Sequence, residues 1–598
     1  MDIKQKKRSD IPKEYQWNLE DIFASKEDWQ HAISTMNTRI ENISAYKGTL
    51  KTGDAILNCL NEYFATQEIN DAVYMYAHLK QSEDTACSEA QGMADITEGL
   101  DTDFEEASAF ITPEILENDA AAIQQFIKET KGLALYTHYL NNLLRQKPHV
   151  LSSEIEAILA SASEVASTAE NAYNKLNDAD MKYGNIIDED GNTVELTEGR
   201  YERFARSKDR RVRKDASDSY GNAYDKLKNT FASLLSSQIK ADVFFAKTKK
   251  YPSALDASLF DGNIPRSVYE NLIKTTHEFL PAMHRFVSLR KKALKLDEYY
   301  TYDTNVSLVD DVDIKIAYDD AKKLVTEGLA PLGQEYVNVM SNGMDSGWVD
   351  VYETEGKTSG GFHWGALRQH PYILLNYEDN ITDMFTLAHE LGHAMHHYYA
   401  QEHQPLAYAD YTTFSAEIAS TVNEVLMIEY MLEKTTDKNE RIYLLTEYIQ
   451  QFLGTIFSQV RYAEFEMITH QMEEDGEPLT VEVFNKLYGD LCQKYAGPDL
   501  IIDDMDRIYW ASIPHFYFNF YVYQYATGYA AAIAFKKRLQ SKDPQALEDY
   551  LGFLKAGDSD YTINILKNAG VDMSSPEPIR DALKVFEGLI DELESCLF

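Results

Sequence analysis

Five of the 15 histidines in this 598-residue chain are crowded together: His389, His393, His396, His397 and His403, within TLAHELGHAMHHYYAQEH. The run His389-Glu390-Leu391-Gly392-His393 is an H-E-x-x-H pattern. On an α-helix, residues four positions apart are turned by about 400°, so both imidazoles leave one face a turn apart and can grip one metal ion. Glu390 then lies about 100° round, placed to act on a water at the metal without being a ligand. Zinc suits the site best, because it accepts imidazole and carboxylate donors in four-coordinate geometry and brings the pKa of its water to about 7. The expected cofactor is one Zn2+ per chain.

The third ligand has to come from elsewhere. His396 shares the face, but its Cα lies about 10 Å along the helix axis from that of His389, too far for one ion to reach. The segment TTFSAEIASTVNEVLMIEYMLEK offers Glu417 and Glu424 on one face of a following helix. Glu417, near the start of that helix, is assigned to the metal. Glu424 either accepts a hydrogen bond that orients a ligand imidazole or is an ordinary solvent-facing charge.

The elements that must hold these residues can be read around them. Asn380 or Thr382 can cap the motif helix, and Asp383 suits its dipole. Upstream, WVDVYETEG alternates, KTSGG supplies a turn and HPYILLNY is a short apolar run, so a small sheet is predicted between Trp348 and Tyr377. The N-terminal region reads as helices over Lys26–Leu50, Asp54–Glu83, Ser88–Phe110, Pro113–Glu129 and Glu154–Asn177. DEDGNTVEL, from Asp188 to Leu196, predicts a small hairpin, and helices resume over Gly199–Ala246 and Pro265–Lys295. The fold class is therefore mainly α, with a helical domain over 1–190 and a catalytic domain over 191–598.

Composition narrows the partners. With 57 Lys and Arg against 97 Asp and Glu, the net charge is −40, which disfavours nucleic acid and anionic membrane surfaces. Apolar residues make up 44%, as in a globular protein. Four scattered cysteines form no disulfide framework, and the opening MDIKQKKRSDIPKEYQW lacks the apolar core of a secretory signal, so a cytoplasmic location is expected. The basic KQKKR run reads as a solvated tail. From Ile508 to Phe535 there is no charged side chain, a stretch of 28 residues. Its six tyrosines, with Pro514, His515, Asn519 and Gln524, are wrong for lipid and fit the wall of a cavity that hydrogen-bonds something.

AHELGHAMHHYY followed by FSAEIASTVNE, the upstream SGGFHWG and HPYILLNY, and the downstream IPHFYFNFYVYQYATGYAAA resemble the oligoendopeptidase F branch of the thimet-oligopeptidase family of zinc metallopeptidases. QWNLEDIF and AKTKKYPSALDASL extend the resemblance over nearly the whole chain. It implies a mostly helical body whose halves enclose a deep channel with a small sheet beside the motif helix, admitting short, unfolded peptides. It implies zinc on His389, His393 and Glu417, with Glu390 as general base. It also implies that a late histidine and tyrosines bind the peptide carbonyl and its oxyanion. His515 matches the histidine; allowing for one extra residue after it, Tyr521 and Tyr525 match the tyrosines, while the last family tyrosine meets Gly528, beside Tyr529. The expected activity is cleavage of internal bonds of short peptides through a Glu-activated water on zinc. The rivals are a metallocarboxypeptidase and a zinc-stabilised peptide-binding scaffold.

Overall fold

The computed structural model describes residues 5–309, 314–541 and 543–598. It is mainly helical. Among the described residues the sheets are a two-stranded antiparallel hairpin, a two-stranded parallel pair and one three-stranded sheet. The chain sorts into two compact units, each discontinuous in sequence: 1–148 with 313–430 and 535–571, and 149–312 with 431–534 and 572–598. A single cut at 190 does not describe them, because the first helices share a core with the sheet beside the motif helix.

That shared core belongs to the first unit. Lys26–Ser44, Gly53–Glu83 and Ser88–Ser108 are helices, the first two opened by Ser25 and Thr52 accepting from the amides of Asp28 and Ala55. Their inward side chains, among them Trp29, Met36, Ile56, Leu60 and Val73, pack in one cluster with Trp17, Leu19, Tyr372 and Leu374. The predicted helix over Pro113–Glu129 is two helices, Ile111–Glu117 and Ala120–Glu129. Asn118 breaks it: its backbone is extended (ψ 149°), and its side-chain amide donates to the carbonyls of Leu50, Glu114 and Ile115. Those carbonyls at a helix end otherwise lack partners.

The small sheet lies between Trp348 and Tyr377 as the alternation predicts. Tyr372–Leu374 is its centre, paired in parallel with Val349–Asp350 and antiparallel with Phe362–Trp364, in the register Phe362 opposite Leu374 and Trp364 opposite Tyr372. Phe362–Trp364 is thus an edge strand, with one side of its backbone unpaired in the sheet. The turn before it is held by Asn376, whose side chain donates to the carbonyls of Thr358 (3.0 Å) and Gly360 (2.8 Å). Gly360 has φ +85°, which glycine adopts freely.

The basic run near the N-terminus is solvated at Lys6 and Lys7 but not at its end. Lys4 lies outside the described residues, but Arg8 pairs with Asp350 (2.6 Å) and Glu83 (2.7 Å), and Lys357, wholly buried, meets the same Asp350 at 2.7 Å. Asp350 is 2% exposed, so two cations neutralise a carboxylate that could not stay charged alone there. The tail is tied to the sheet.

In the second unit, Asn185–Ile187 and Thr193–Glu195 form the predicted hairpin, its turn closed by Asp188 Oδ1 accepting from the amides of Asp190 (3.0 Å) and Asn192 (2.7 Å). The helices predicted over Gly199–Ala246 are Glu198–Ala205, Arg210–Lys226 and Lys228–Thr248. Its other long helices include Arg266–Glu278, Leu280–Ala293, Lys438–Phe452, Gln459–Glu474, Val481–Ala496 and Glu577–Leu597, with a π-helical turn at Leu453–Ser458. The uncharged stretch forms two short 3-10 turns, Tyr509–Ser512 and Pro514–Tyr517, before the helix Tyr523–Gln540. Among the described residues no helix is long and apolar enough to cross a membrane.

Candidate metal centre

The motif helix runs from Ile381 to His403 and starts as its sequence dictates, with the Asn380 side chain accepting from the Asp383 amide at 2.9 Å. The second helix, Thr413–Lys434, lies directly against it. Gly392 makes that approach possible, since a Cβ there would stand 2.5 Å from Ser420 Cα and 2.8 Å from the Ala419 carbonyl. Asn423 locks the pair: its amide donates to the Ala388 carbonyl at 3.0 Å, and the Tyr336 hydroxyl donates to its Oδ1 at 3.1 Å.

This packing brings His389, His393 and Glu417 together, with one donor atom of each within 4.8 Å of the others. The two Nε2 atoms are 3.1 Å apart, and Glu417 Oε2 stands 3.6 Å from His389 Nε2 and 3.5 Å from His393 Nε2. Ligands at about 2.0–2.1 Å in tetrahedral arrangement lie about 3.3 Å apart, so these edges fit one small divalent cation. Ser420 Oγ donates to Glu417 Oε2 at 3.0 Å and steadies the carboxylate.

Glu424 is not a solvent-facing charge. Its Oε1 is 2.7 Å from His389 Nδ1, which puts the imidazole proton on that nitrogen and turns the Nε2 lone pair toward the other donors. Burial opposes a charge on His389, yet the hydrogen bond and charge of Glu424, with Glu390 and Glu417 beyond, carry its pKa up to about 9. At His393 burial and the neighbouring His389 act together and bring it down to about 4.

Glu390, 7% exposed, lies beside this group. Burial is the main cause that pushes its carboxyl up to about 7; His389 pulls the other way, Glu417 and Glu424 push further, and a backbone hydrogen bond from His363 pulls down. A carboxyl poised near neutrality can take and return a proton.

The other clustered histidines are structural. His396 is buried, stacked on Tyr411 with ring centroids 3.8 Å apart. His397 has Nε2 3.1 Å from the Gln369 carbonyl, and His403 has Nδ1 3.0 Å from that of Tyr399. His363 also stands near this group, a residue that the motif spacing does not pick out. Its ring centroid lies 6.1 Å from that of His393, and its buried Nε2 has no hydrogen-bond partner among the described residues. The signal was the edge-strand alternation Phe362-His363-Trp364, next to a glycine pair.

In the second unit, His515, Tyr521 and Tyr525 form one cluster, with ring centroids 6.4 Å (His515 to Tyr521), 5.9 Å (His515 to Tyr525) and 5.3 Å (Tyr521 to Tyr525) apart. All three are half-buried while Phe516, Tyr517, Phe520 and Tyr523 are buried, so the stripe divides into core aromatics and accessible ones. Burial holds His515 below the usual imidazole range. Between them the backbone turns left-handed at two successive non-glycine residues, Asn519 (φ 39°) and Phe520 (φ 59°). Such strain persists only where surroundings enforce it. Here the Phe520 amide donates to buried Glu466 at 3.0 Å, and Ser258 Oγ donates to the Asn519 carbonyl at 2.9 Å. Tyr529 is buried, its hydroxyl 3.2 Å from Gln451 Oε1.

Comparison with known proteins adds an independent line. The profile of Peptidase family M3 matches residues 203–585, and that of Oligopeptidase F matches residues 114–183. Oligopeptidase PepF of Bacillus subtilis is 44% identical over 99% of this chain and 88% of its own length. Group B oligopeptidase PepB of Streptococcus agalactiae is 37% identical, covering 99% of this chain and 98% of itself. Among solved structures, a putative peptidase from Chlamydophila abortus superposes with a TM-score of 0.95 at 34% identity, over 99% of this chain and 100% of that one. The oligoendopeptidase-F of Enterococcus faecium gives a TM-score of 0.73, also at 34% identity, over 95% and 99%.

Proposed function

The chain belongs to peptidase family M3 and is a metallo-endopeptidase acting on peptides; from that premise we propose that it is a zinc-dependent cytoplasmic oligoendopeptidase cutting internal bonds of short, unfolded peptides. The observation that carries this reading is the convergence of His389, His393 and Glu417 beside a buried carboxyl, Glu390. When bound, zinc supplies a Lewis acid for the scissile carbonyl and acidifies a water.

The chain's own residues do the rest. His389 and His393 would each offer a ring nitrogen to the cation, His389 giving up its Nε2 proton as it does so, and Glu424 holds the Nδ1 proton of the first. Glu417 adds the negative charge that a divalent cation needs. Glu390, as general base, takes a proton from the attacking water and returns it to the leaving amine, so no covalent intermediate is required. His515, Tyr521 and Tyr525 are assigned to the peptide carbonyl and its oxyanion, where hydroxyl donors stabilise developing charge. That assignment rests on the family resemblance and on the shared accessibility of the three rings.

The edge strand Phe362–Trp364 is proposed to pair with an extended peptide, giving affinity through backbone hydrogen bonds and little dependence on side chains. Gly361→Pro should raise KM several-fold for every peptide tested; an unchanged KM removes the strand from substrate binding.

The reading as a whole is tested by incubating the protein with short peptides blocked at both ends and reading the fragments by mass spectrometry, with and without a chelator. Internal cleavage abolished by the chelator and restored by zinc is expected. Intact blocked peptides together with C-terminal trimming of the same peptides left unblocked would favour a carboxypeptidase, and intact peptide in both sets would favour a scaffold.

A further inference from the structure

Within the unit formed by 149–312, 431–534 and 572–598 lies a cavity of about 420 Å³ to which the proposed chemistry assigns no role. Its size falls among small-molecule sites, which run from about 300 to 1,000 Å³. None of His515, Tyr521 or Tyr525 lines it. One wall is the π-helical turn Leu453–Ser458, a departure from α-helical bonding of a kind that gathers at functional sites. Much of the rest is tyrosine, including Tyr201, Tyr220, Tyr462 and Tyr488.

Two guanidinium groups, Arg290 and Arg461, also line it. Arginine stays charged at any ordinary pH, and burying that charge without a counter-charge is costly. The same unit respects this elsewhere: buried Arg213 pairs with Asp303 at 2.7 Å, and Arg210 meets the same carboxylate at 2.8 Å. Arg290 and Arg461 are different. Arg290, 2% exposed, donates to the Tyr299 hydroxyl (3.1 Å) and the Val306 carbonyl (2.5 Å), and its Nη1 has no hydrogen-bond partner among the described residues. Arg461 lies 5.3 Å from the ring centroid of Tyr462 and 5.6 Å from that of Tyr488, and its Nε has no such partner either. Desolvation opposes its charge, and the main groups that favour it are Cys492, Tyr488 and Tyr462, the last also by a hydrogen bond, with no carboxylate among them. Asp506, the carboxylate in the lining, is already engaged by Thr301 Oγ1 (2.5 Å) and the Asp503 amide (2.8 Å). In a chain of net charge −40, buried Arg290 and half-buried Arg461 both stand with no ion pair to a carboxylate among the described residues, which is no shortage of acid.

We propose that this cavity binds a small anionic molecule, a carboxylate or phosphate carried on an aromatic or apolar body, with Arg461 as the anion receptor and Arg290 as a second positive charge. The guanidinium plane matches either oxyanion, and the tyrosine rings supply faces for the body while their hydroxyls donate to the remaining oxygens.

The test is calorimetric titration of the full-length, zinc-loaded protein with benzoate, phenyl phosphate and uncharged benzamide, alongside Arg461→Met and Tyr462→Phe. One of the two anions is expected to bind at one site per chain, the preferred one distinguishing carboxylate from phosphate, and benzamide is expected not to bind. Arg461→Met should weaken the anion at least tenfold, and Tyr462→Phe severalfold. A crystal grown with 4-bromobenzoate or 4-bromophenyl phosphate, whichever parent anion binds, should place the bromine anomalous peak in this cavity even if Arg461→Met does not fold. Failure of both anions to bind, equal binding of benzamide, binding that survives Arg461→Met as it would at the metal, or a bromine peak elsewhere would each overturn the proposal.

Discussion

At the candidate metal centre His389, His393 and Glu417 all come from the interior of regular helices, whereas His515, Tyr521 and Tyr525 are presented by a 3-10 turn, a left-handed kink and the first turn of a helix. The first arrangement takes its geometry from helical register, so spacing in sequence becomes spacing in space with no strain. The second stores strain at Asn519 and Phe520 and relies on Glu466 and Ser258 to hold it. A register-built site is robust to its surroundings; a turn-built one is only as good as its supports.

Substitutions at three positions separate the two kinds of construction. The largest effect is expected at the turn-built cluster: Tyr521→Phe should lower kcat by about 10²–10³, the scale of a lost oxyanion donor, with KM and metal content unchanged. A fall in metal content instead would place Tyr521 in the structure of the metal site. Next, Glu424→Gln should weaken metal affinity by about 10–100-fold, measured by competition with a chromogenic chelator, because the His389 tautomer is no longer fixed by a charge. Unchanged affinity would mean that register alone suffices. Smallest, Asn519→Ala should cost about 1 kcal/mol, since alanine tolerates the left-handed region less well than asparagine, and Asn519→Gly should not. Thermal melting of both variants decides this; equal melting temperatures would show that the kink carries no strain.

The same contrast explains what the sequence reveals. His389, Glu390, His393, Glu417 and Glu424 are all visible as helical spacings, and the small sheet is visible as alternation between turn residues. Glycine in the motif was legible only as a letter; that Gly392 admits the backbone of the second helix depends on a partner 28 residues away. Long-range pairings were hidden for the same reason. Arg8 reads as a basic tail until Asp350 and Glu83 are beside it, and Asn118 reads as helix interior until the Leu50 carbonyl needs a donor. The π-helical turn at Leu453–Ser458 and the left-handed pair at Asn519–Phe520 leave no periodic trace, because neither follows from local preference.

The central claim is that Glu390 moves the proton in a metal-assisted hydrolysis, and Glu390→Gln tests it most directly. Glutamine keeps the volume and the hydrogen bond from His363 but cannot accept a proton from water at neutral pH. With zinc content measured by atomic emission and turnover measured on an internally quenched peptide, zinc should remain at the wild-type level while kcat falls by up to about 10⁴. Wild-type turnover in a pure, zinc-loaded sample of this variant would contradict the account.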